Sequence, residues 1–201
     1  MLPEIRWSIE APWAQGRLRV FEPNLTEVLA AAPLLASFYN DSHNSAMMTN
    51  THEMSVAEVV ETFQAMRAAG DRPFLLEQGG ELMGDADFRH VAGAEAEFAI
   101  LVGPRAQQSR GLGTRYAAML HVAALRVLGL ERVYATIIPS NIASRRMLEK
   151  LGYQVDQSPR AASFAEAEDD IAMSIDRVQF ERAHADLLTQ VVITARAASP
   201  E

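Results

Sequence analysis

Apolar positions recur along this chain with two periods, and stretches of one period alternate with stretches of the other. Period-two alternation or short apolar runs predict strands at 5–10, 17–23, 74–78, 81–88, 94–102, 132–138, 153–155 and 170–175. Helical spacing predicts helices at 25–39, 55–70, 112–128, 140–152 and 177–196. This order is typical of an α/β domain with a mixed sheet, in which a meander precedes the crossovers.

Local signals refine this pattern at several points. Pro33 lies inside the first predicted helix and should kink or split it. The stretch 39–54 is polar and aperiodic, which predicts a loop. Ser55 and Glu58 then form a capping box that starts the second helix.

The length of 201 residues predicts a single domain over 1–201, with a core at about 17–176. The segment 177–196 is then an appended C-terminal helix. Its wide apolar face is expected either to pack on its own domain or to join a homodimer.

Composition narrows the function classes. The chain has no cysteine, and its histidines lack the spacing of zinc ligands, so we expect no metal site. A formal net charge of −8 disfavours nucleic acid and anionic lipid and mildly favours cationic small molecules, although solubility alone also explains it. No apolar run approaches the length of about 18 residues that a membrane span needs, and the first residues do not resemble a signal peptide. We therefore expect a cytoplasmic protein without a membrane partner.

The segment "QQSRGLGT", Gln107 to Thr114, lies between the strand 94–102 and a helix. Free amides and the helix dipole at such a junction favour phosphate, and glycines let the main chain approach it closely. Positive charge comes from Arg105, Arg110 and Arg115. A plain strand-to-helix turn explains the glycines equally well. The segment lacks the lysine of a P-loop and the third glycine of a Rossmann fingerprint.

A second motif, "NIASRRMLEKLGY" from Asn141 to Tyr153, follows the strand 132–138. Together the two motifs resemble the acetyl-CoA-binding signature of the GNAT N-acetyltransferase superfamily. Their spelling is most similar to the branch that includes the ribosomal-protein N-terminal acetyltransferases. The strong part of the resemblance covers 95–153, and the order of elements fits from about 17 to 175. It implies one mostly antiparallel sheet with helices on both faces and a splayed central strand pair.

The resemblance also implies acetyl-CoA as co-substrate and assigns residues to it. The pyrophosphate would lie on the segment Gln108, Ser109, Arg110, Gly111, Leu112, Gly113 and Thr114. The strand carrying Phe98, Ile100 and Val102 would pair with the pantetheine arm through its main chain, and one N–H there would face the thioester oxygen. Asn141 and Ser144 match cofactor-contacting positions of the second motif.

Acetyl transfer needs a proton acceptor, because an amine with an ordinary pKa of about 10 attacks only as the free base. Glu97 is the expected base, directly or through water, and Glu95 on the same strand face is the alternative. Both could instead be an exposed sheet face. Many family members carry a Tyr that protonates the thiolate, and the matching residue is Leu148. Ser144 and Tyr153 remain as hydroxyls, of which Tyr153 is expected in the core.

The acceptor side carries no motif. An acidic mouth for a cation would consist of Asp41, His43, Glu53, Asp85 and Asp87, although a solvated loop explains these residues equally well. His90, on the same strand as the two aspartates, is also expected to line the acceptor side. Met47 and Met48 would line an adaptable apolar pocket or fill the core. The sequence therefore predicts an acetyl-CoA-dependent N-acetyltransferase acting on a primary amine of a small molecule or a peptide N-terminus. A non-catalytic acyl-CoA-binding module and an enzyme using a longer acyl donor are the alternatives.

Overall fold

The computed structural model describes residues 5–14, 16–48 and 52–196. The strands there are β1 (Arg6–Trp13), β2 (Gly16–Phe21), β3 (Arg72–Gln78), β4 (Glu81–Ala92), β5 (Glu95–Val102), β6 (Arg132–Ile137), β7 (Gln154–Val155), β8 (Ile171–Asp176) and β9 (Val192–Arg196). The α-helices are α1 (Leu25–Tyr39), α2 (Ser42–Met47), α3 (Val56–Ala68), α4 (Leu112–Arg126), α5 (Ile142–Leu151), α6 (Pro159–Ala162), α7 (Arg177–Ala183) and α8 (Ala185–Gln190). Within the described ranges, no helix is both long and apolar enough to cross a membrane.

All nine strands form one sheet in the order β7-β8-β6-β5-β4-β3-β2-β1-β9. Every neighbouring pair is antiparallel except β5 and β6, which run parallel. The predicted mixed, mostly antiparallel sheet is confirmed. The parallel pair lies in the interior of the sheet. Its two strands can run parallel because α4 supplies the crossover connection that parallel strands require.

Helices cover both faces of the sheet, as predicted. On one face, α1 and α3 pack around Leu75 of β3. On the other, α4 packs against Phe74 and Leu76, the neighbours of Leu75. Side chains alternate in direction along a strand, so β3 contributes to two separate cores. Because α4 is buried on nearly all sides, it carries apolar residues well beyond a single stripe.

The strands β5 and β6 separate soon after they meet. Their pairing covers only Glu95–Glu97 with Arg132–Tyr134. Beyond that point, β5 stays paired with β4 as far as Val102, and β6 stays paired with β8 as far as Ile137. Since each strand follows its outer neighbour, a wedge opens between them. The predicted splayed central pair is confirmed.

Two glycines hold the far end of β5 away from β6. A Cβ on Gly84 of β4 would overlap the main-chain oxygen of Leu101, so only glycine allows β4 to come this close to β5. A Cβ on Gly103 would overlap the ring of Phe38, at the end of α1. The N–H of Gly103 also donates to the C=O of Met83 at 2.9 Å. These contacts fasten the end of β5 to β4 and α1.

Two predictions in the first half of the chain were wrong in part. The helix α1 has the predicted bounds, but Pro33 does not split it, because this residue lies on the exposed face. On that face, water can donate a hydrogen bond to the helix carbonyl that lacks an N–H partner because proline has none. The predicted loop 39–54 contains α2, whose start is capped by the Asp41 side chain. Residues 49–51 of that loop lie outside the described ranges, as do 1–4, 15 and 197–201 of the predicted domain.

The prediction of one long helix at 177–196 was wrong. The segment forms the short helices α7 and α8 and then β9, which pairs antiparallel with β1 and is itself an edge strand of the sheet. Without β9, β1 would be the edge, and its unpaired backbone groups offer a ladder to the β-branched run Val191–Thr194. The apolar residues Phe180, Leu187 and Val191 are buried in the core of the same chain. Packing on its own domain was one of the two alternatives expected for this face.

Candidate active site

The wedge between β5 and β6 opens into a cavity of about 740 Å³. One part of it is lined by the ends of the two strands, at 98–101 and 135–138, and by Asn141, Ser144, Met147 and Leu148 of the α5 region. The other part lies on the sheet face that α1 and α3 cover. The cavity therefore joins a narrow slot between two strands to a wider chamber.

The glycine-rich segment lies at the end of β5 and is held by side-chain hydrogen bonds. The Nε2 of Gln108 donates to the C=O of Val102 and to Oδ1 of Asn44, both at 2.8 Å. The Nδ2 of the buried Asn44 donates to the C=O of Gly103 at 3.0 Å. The side-chain amide nitrogen of Gln108 is thus bonded within the protein. A cofactor would contact this residue through its main-chain groups.

Beyond Gln108 the backbone makes a turn that leads into α4. Ser109 and Gly111 both have positive φ, at 58° and 86°. Regular helical bonding begins with the N–H of Arg115, which donates to the C=O of Gly111 at 3.0 Å. No hydrogen bond within the described chain is assigned to the amides between, those of Ser109, Arg110, Gly111, Leu112, Gly113 and Thr114. Such amides at a helix start form an anion site.

Of the three arginines expected here, Arg105 and Arg110 are exposed beside the loop. The third, Arg115, points elsewhere: its guanidinium donates to the C=O of Pro12 at 3.2 Å and to Oε1 of Gln190 at 2.9 Å.

Asn141 and Ser144 both line the cavity at the start of α5. Asn141 is the N-cap: its Oδ1 accepts the N–H of Ser144 at 3.0 Å, and its Nδ2 donates to the C=O of Met47 at 3.1 Å. The C=O of Ser140, one turn before Ser144, accepts the N–H of Ile142 at 2.9 Å. The other considered hydroxyl, that of Tyr153, is buried and bonded to Nε2 of His121 at 2.6 Å. This core contact keeps Tyr153 away from the cavity.

The two glutamates of β5 have different surroundings. Glu97 is 5% exposed and lines the cavity, where its carboxylate accepts from the hydroxyl of Thr136 at 2.6 Å and contacts Nδ1 of His90 at 3.1 Å. Glu95 instead pairs with Arg160 at 3.0 Å, outside the cavity. The period of the strand placed both on one face, but only Glu97 lies where the sheet opens.

His90 adds an unusual backbone position to this corner. It has φ of 53°, at an irregularity in the pairing of β4 with β5, and its ring packs against Phe164. A non-glycine residue with positive φ is uncommon and is held there by its surroundings. The irregularity points the imidazole of His90 at Glu97.

The wider chamber is acidic. Its carboxyl side chains are Asp71, Asp85, Asp87, Glu97, Glu166 and Asp170, together with Arg89 and His90. Arg89 is the central cation: its Nε lies 3.1 Å from Oδ1 of Asp87 and 3.7 Å from Oε2 of Glu97. Burial raises the pKa of Asp85 to about 7 and that of Asp87 to about 6, although Arg89 opposes the shift at Asp87.

The expected acidic mouth was therefore right in part. Asp85, Asp87 and His90 line the cavity, and so do Met47 and Met48. The other three expected residues do not. Asp41 is engaged as the cap of α2, and His43 and Glu53 lie outside the lining.

Sequence analysis missed Tyr39, Arg89 and Thr136, as well as Glu166 and Asp170. Arg89 continues the alternation that placed Asp85 and Asp87 on one face, so the strand period could have identified it. Glu166 and Asp170 lie in the connection between α6 and β8 and carry no local signal of their position. Among the described residues, no group of three or more His, Asp or Glu side chains is arranged to hold a metal ion.

Comparisons with known proteins agree with this geometry. A family model described as "Acetyltransferase (GNAT) domain" matches residues 23–154. No curated protein matches the chain. Among solved structures, RimJ of Mycobacterium smegmatis in complex with CoA-disulfide has a TM-score of 0.71 at 18% identity, over 94% of this chain and 97% of that one.

Two further solved structures are similar over most of the chain. The aminoglycoside acetyltransferase AAC(6')-Ib in complex with coenzyme A has a TM-score of 0.66 at 17% identity, covering 88% of this chain and 98% of that one. A spermidine N-acetyltransferase SpeG chimera from Vibrio cholerae and hSSAT has a TM-score of 0.66 at 16% identity, covering 81% and 97%. At these identities the likeness shows the fold. With the family match over well more than half its length, this chain belongs to the GNAT acetyltransferase family.

Proposed function

We propose that this protein transfers the acetyl group of acetyl-CoA to a primary amine of a small cationic molecule, by direct attack of the amine on the thioester. The proposal rests on one observation: the slot between β5 and β6 opens into the wider chamber. A slot between two strands, with unpaired main chain and a helix N-terminus at its mouth, meets a chamber lined by carboxylates.

The slot suits coenzyme A in two respects. The amides of 109–114 can hold the pyrophosphate, and Arg110 adds positive charge beside them. The exposed edge of β5 from Phe98 through Ile100 to Val102 can pair with the amide-containing pantetheine arm, as a strand would. Asn141 holds the start of α5 against Met47, which keeps Ser144 at the slot.

The residues around the chamber supply the chemistry. Glu97 accepts a proton from the substrate ammonium, directly or through a water, so that the free amine can attack the thioester. It is suited to this role because the pairing of β5 with β6 ends at Glu97. A main-chain N–H of β5 donates to the developing oxyanion. The hydroxyl of Ser144 donates to the departing sulfur or to the neighbouring pantetheine. A CoA thiol has a pKa near that of Cys, about 8.5, so its thiolate leaves readily without a strong acid, in keeping with Leu148 at the usual Tyr position.

The chamber favours a small cation as the acceptor. Its carboxylates outnumber its basic groups, and the described neighbours include acetyltransferases named for aminoglycosides and spermidine. A peptide N-terminus is the competing acceptor, which the motif spelling of the ribosomal-protein branch suggests. Release of free CoA thiol with a panel of amines and peptides distinguishes these acceptors, and it distinguishes an enzyme from a non-catalytic acyl-CoA-binding module.

Gly111→Val should weaken acetyl-CoA binding by about tenfold or more, because a branched residue costs roughly 1–3 kcal/mol at positive φ and would turn the loop amides away from the phosphate. Gly80→Val is the matched control. Gly80 has φ of 85°, lies in the turn between β3 and β4 outside the cavity lining, and has open space around its Cβ position. Isothermal calorimetry should show a weakened Kd only for Gly111→Val. Normal affinity in that variant would contradict the phosphate assignment.

Glu97→Gln should lower kcat by roughly 10²-fold at neutral pH, because it keeps the hydrogen bond from Thr136 but removes the basic carboxylate. Acetyl-CoA affinity should stay near the wild-type value. Glu95→Gln makes the same change outside the cavity and should retain activity. Turnover with the best amine of the panel, measured from pH 6 to 9, checks this. A wild-type rate for Glu97→Gln across that range would remove Glu97 from the mechanism.

A further inference from the structure

Asp85 has a buried carboxyl group, and only one of its two oxygens accepts a hydrogen bond within the described chain. It lies on β4, is 8% exposed and lines the acidic chamber. Its Oδ2 accepts a short hydrogen bond from the hydroxyl of Tyr39, at the end of α1. Its Oδ1 is buried and has no hydrogen-bond partner among the described residues. A buried polar atom left without a partner costs free energy, and a carboxylate oxygen costs more than a neutral one.

The charges around Asp85 do not neutralise it. Asp87 and Arg89 follow on the same face of β4, and Arg89 makes its ion pairs with Asp87 and Glu97. No ion pair to Asp85 is found in the described part of the chain. The next side chain on its face, Asp87, adds negative charge. Above its pKa, Asp85 is therefore a buried anion with no ion-pair partner in the described part of the chain.

We propose that Asp85 binds a second ammonium group of the acceptor, so that the preferred substrate is an aliphatic diamine or longer polyamine. This rests on the proposed function, in which the first amine is the one acetylated. Tyr39 is a positioning residue, since its hydroxyl occupies Oδ2 of Asp85, while Oδ1 has no hydrogen-bond partner among the described residues.

The sheet register gives the spacing between the two amines. Across the β4–β5 ladder, Asp85 lies opposite Leu101, Asp87 opposite Ala99, and Arg89 opposite Glu97. Same-face neighbours on a strand are about 7 Å apart. An amine that reaches Glu97 through a water, one such step along β5 beside Ala99, therefore lies roughly 7 Å from Asp85. An extended chain of about five carbons spans this distance.

The remaining lining suits a methylene chain between the two charges. The apolar side chains of the chamber include Met48, Met54, Phe63 and Met66. Methionines adapt to irregular apolar ligands, because the side chain is unbranched and polarizable. A chamber with carboxylates and flexible apolar walls matches ammonium groups joined by methylenes better than it matches a peptide backbone.

The test compares cadaverine with hexylamine, which has a methyl group where cadaverine has its second ammonium. With saturating acetyl-CoA, kcat/KM from CoA thiol release should favour cadaverine at least tenfold in the wild type. In Asp85→Asn that ratio should fall to near one, mainly through the KM for cadaverine. Glu53→Gln, which removes one negative charge outside the cavity, should keep the wild-type ratio. A ratio near one in the wild type, or an unchanged ratio in Asp85→Asn, would overturn the proposal.

Failure of the proposed function gives a different result. If the wild type turns over no amine, cadaverine is titrated calorimetrically into the CoA-loaded protein. Binding that is weakened at least tenfold in Asp85→Asn supports the second-ammonium site even without catalysis. Absence of binding to the wild type, or equal binding to both proteins, overturns it.

A stability measurement tests the same site without substrate. The pKa of Asp85 is about 7 in the folded protein and near 3.8 when unfolded, so the folded state holds a proton that the unfolded state has released between these values. Stability should therefore fall as pH rises through this window, and Asp85→Asn should remove that loss. Tyr39, Asp87 and Arg89 are the titratable groups that act on Asp85 and are unchanged in the variant.

Asp85→Asn should thus raise Tm by roughly 5 °C at pH 8, and by less at pH 5. Thermal unfolding followed by circular dichroism measures both values, with Glu53→Gln as the control expected near the wild-type Tm. A lower Tm for Asp85→Asn at pH 8 would mean that the carboxylate stabilises the fold and is not held for a ligand.

Discussion

The separation of β5 from β6 is the constraint on which the rest of the structure depends. Two parallel strands in the middle of a sheet normally stay paired, because unpaired backbone groups in an interior cost free energy. Here pairing stops after Glu97 and Tyr134, and each strand continues with its outer neighbour. The contacts that hold β5 on the outer side, through Gly84 and Gly103, leave its inner edge available. In the proposed function, a cofactor arm that completes this edge would restore the missing hydrogen bonds, so the slot would correspond to a sheet lacking one strand.

The acidic chamber follows from the same opening. On β4 and β5 the side chains on the α1 face at the wedge are charged or small apart from Leu101, whereas the opposite face is filled by the α4 core. Burial keeps the pKa values of Asp85 and Asp87 above their ordinary range, and Arg89 is the cation that links Asp87 to Glu97. Above these pKa values the free protein holds buried charge that the proposed cationic ligand would stabilise. Under that proposal, the site gives up stability of the unliganded fold in exchange for affinity toward amines.

Features that depend on local backbone chemistry could be predicted from the sequence. The glycine loop of 108–114 and the Asn141 cap have sequence signals because a positive φ and a helix start each demand particular residues. The alternation along β4 likewise placed Asp85 and Asp87 together. Glu95 and Glu97 could not be separated, because both have the same strand parity. What distinguishes them is where β6 departs, which is a tertiary property.

The incorrect predictions also arise where tertiary structure outweighs the local sequence pattern. The last segment has helical spacing up to Val191, but an unpaired edge at β1 draws its β-branched residues into β9. The short helix α2 escaped notice because its polar residues have no apolar stripe and its cap, Asp41, was assigned to substrate. Tyr39, Glu166 and Asp170 reach the chamber from elements distant in sequence, and no local pattern marks them.

Residue-resolved amide exchange, measured by NMR with and without acetyl-CoA, tests the central claim most directly. In the free protein, the amides of 98–102 that point away from β4 should exchange quickly, while those that point toward β4 are protected. Acetyl-CoA should slow the first set at least tenfold and leave the second set unchanged, since the cofactor would complete the inner edge of β5. If all five amides are protected without cofactor, or if none changes when acetyl-CoA is bound, the β5 edge is not the cofactor slot.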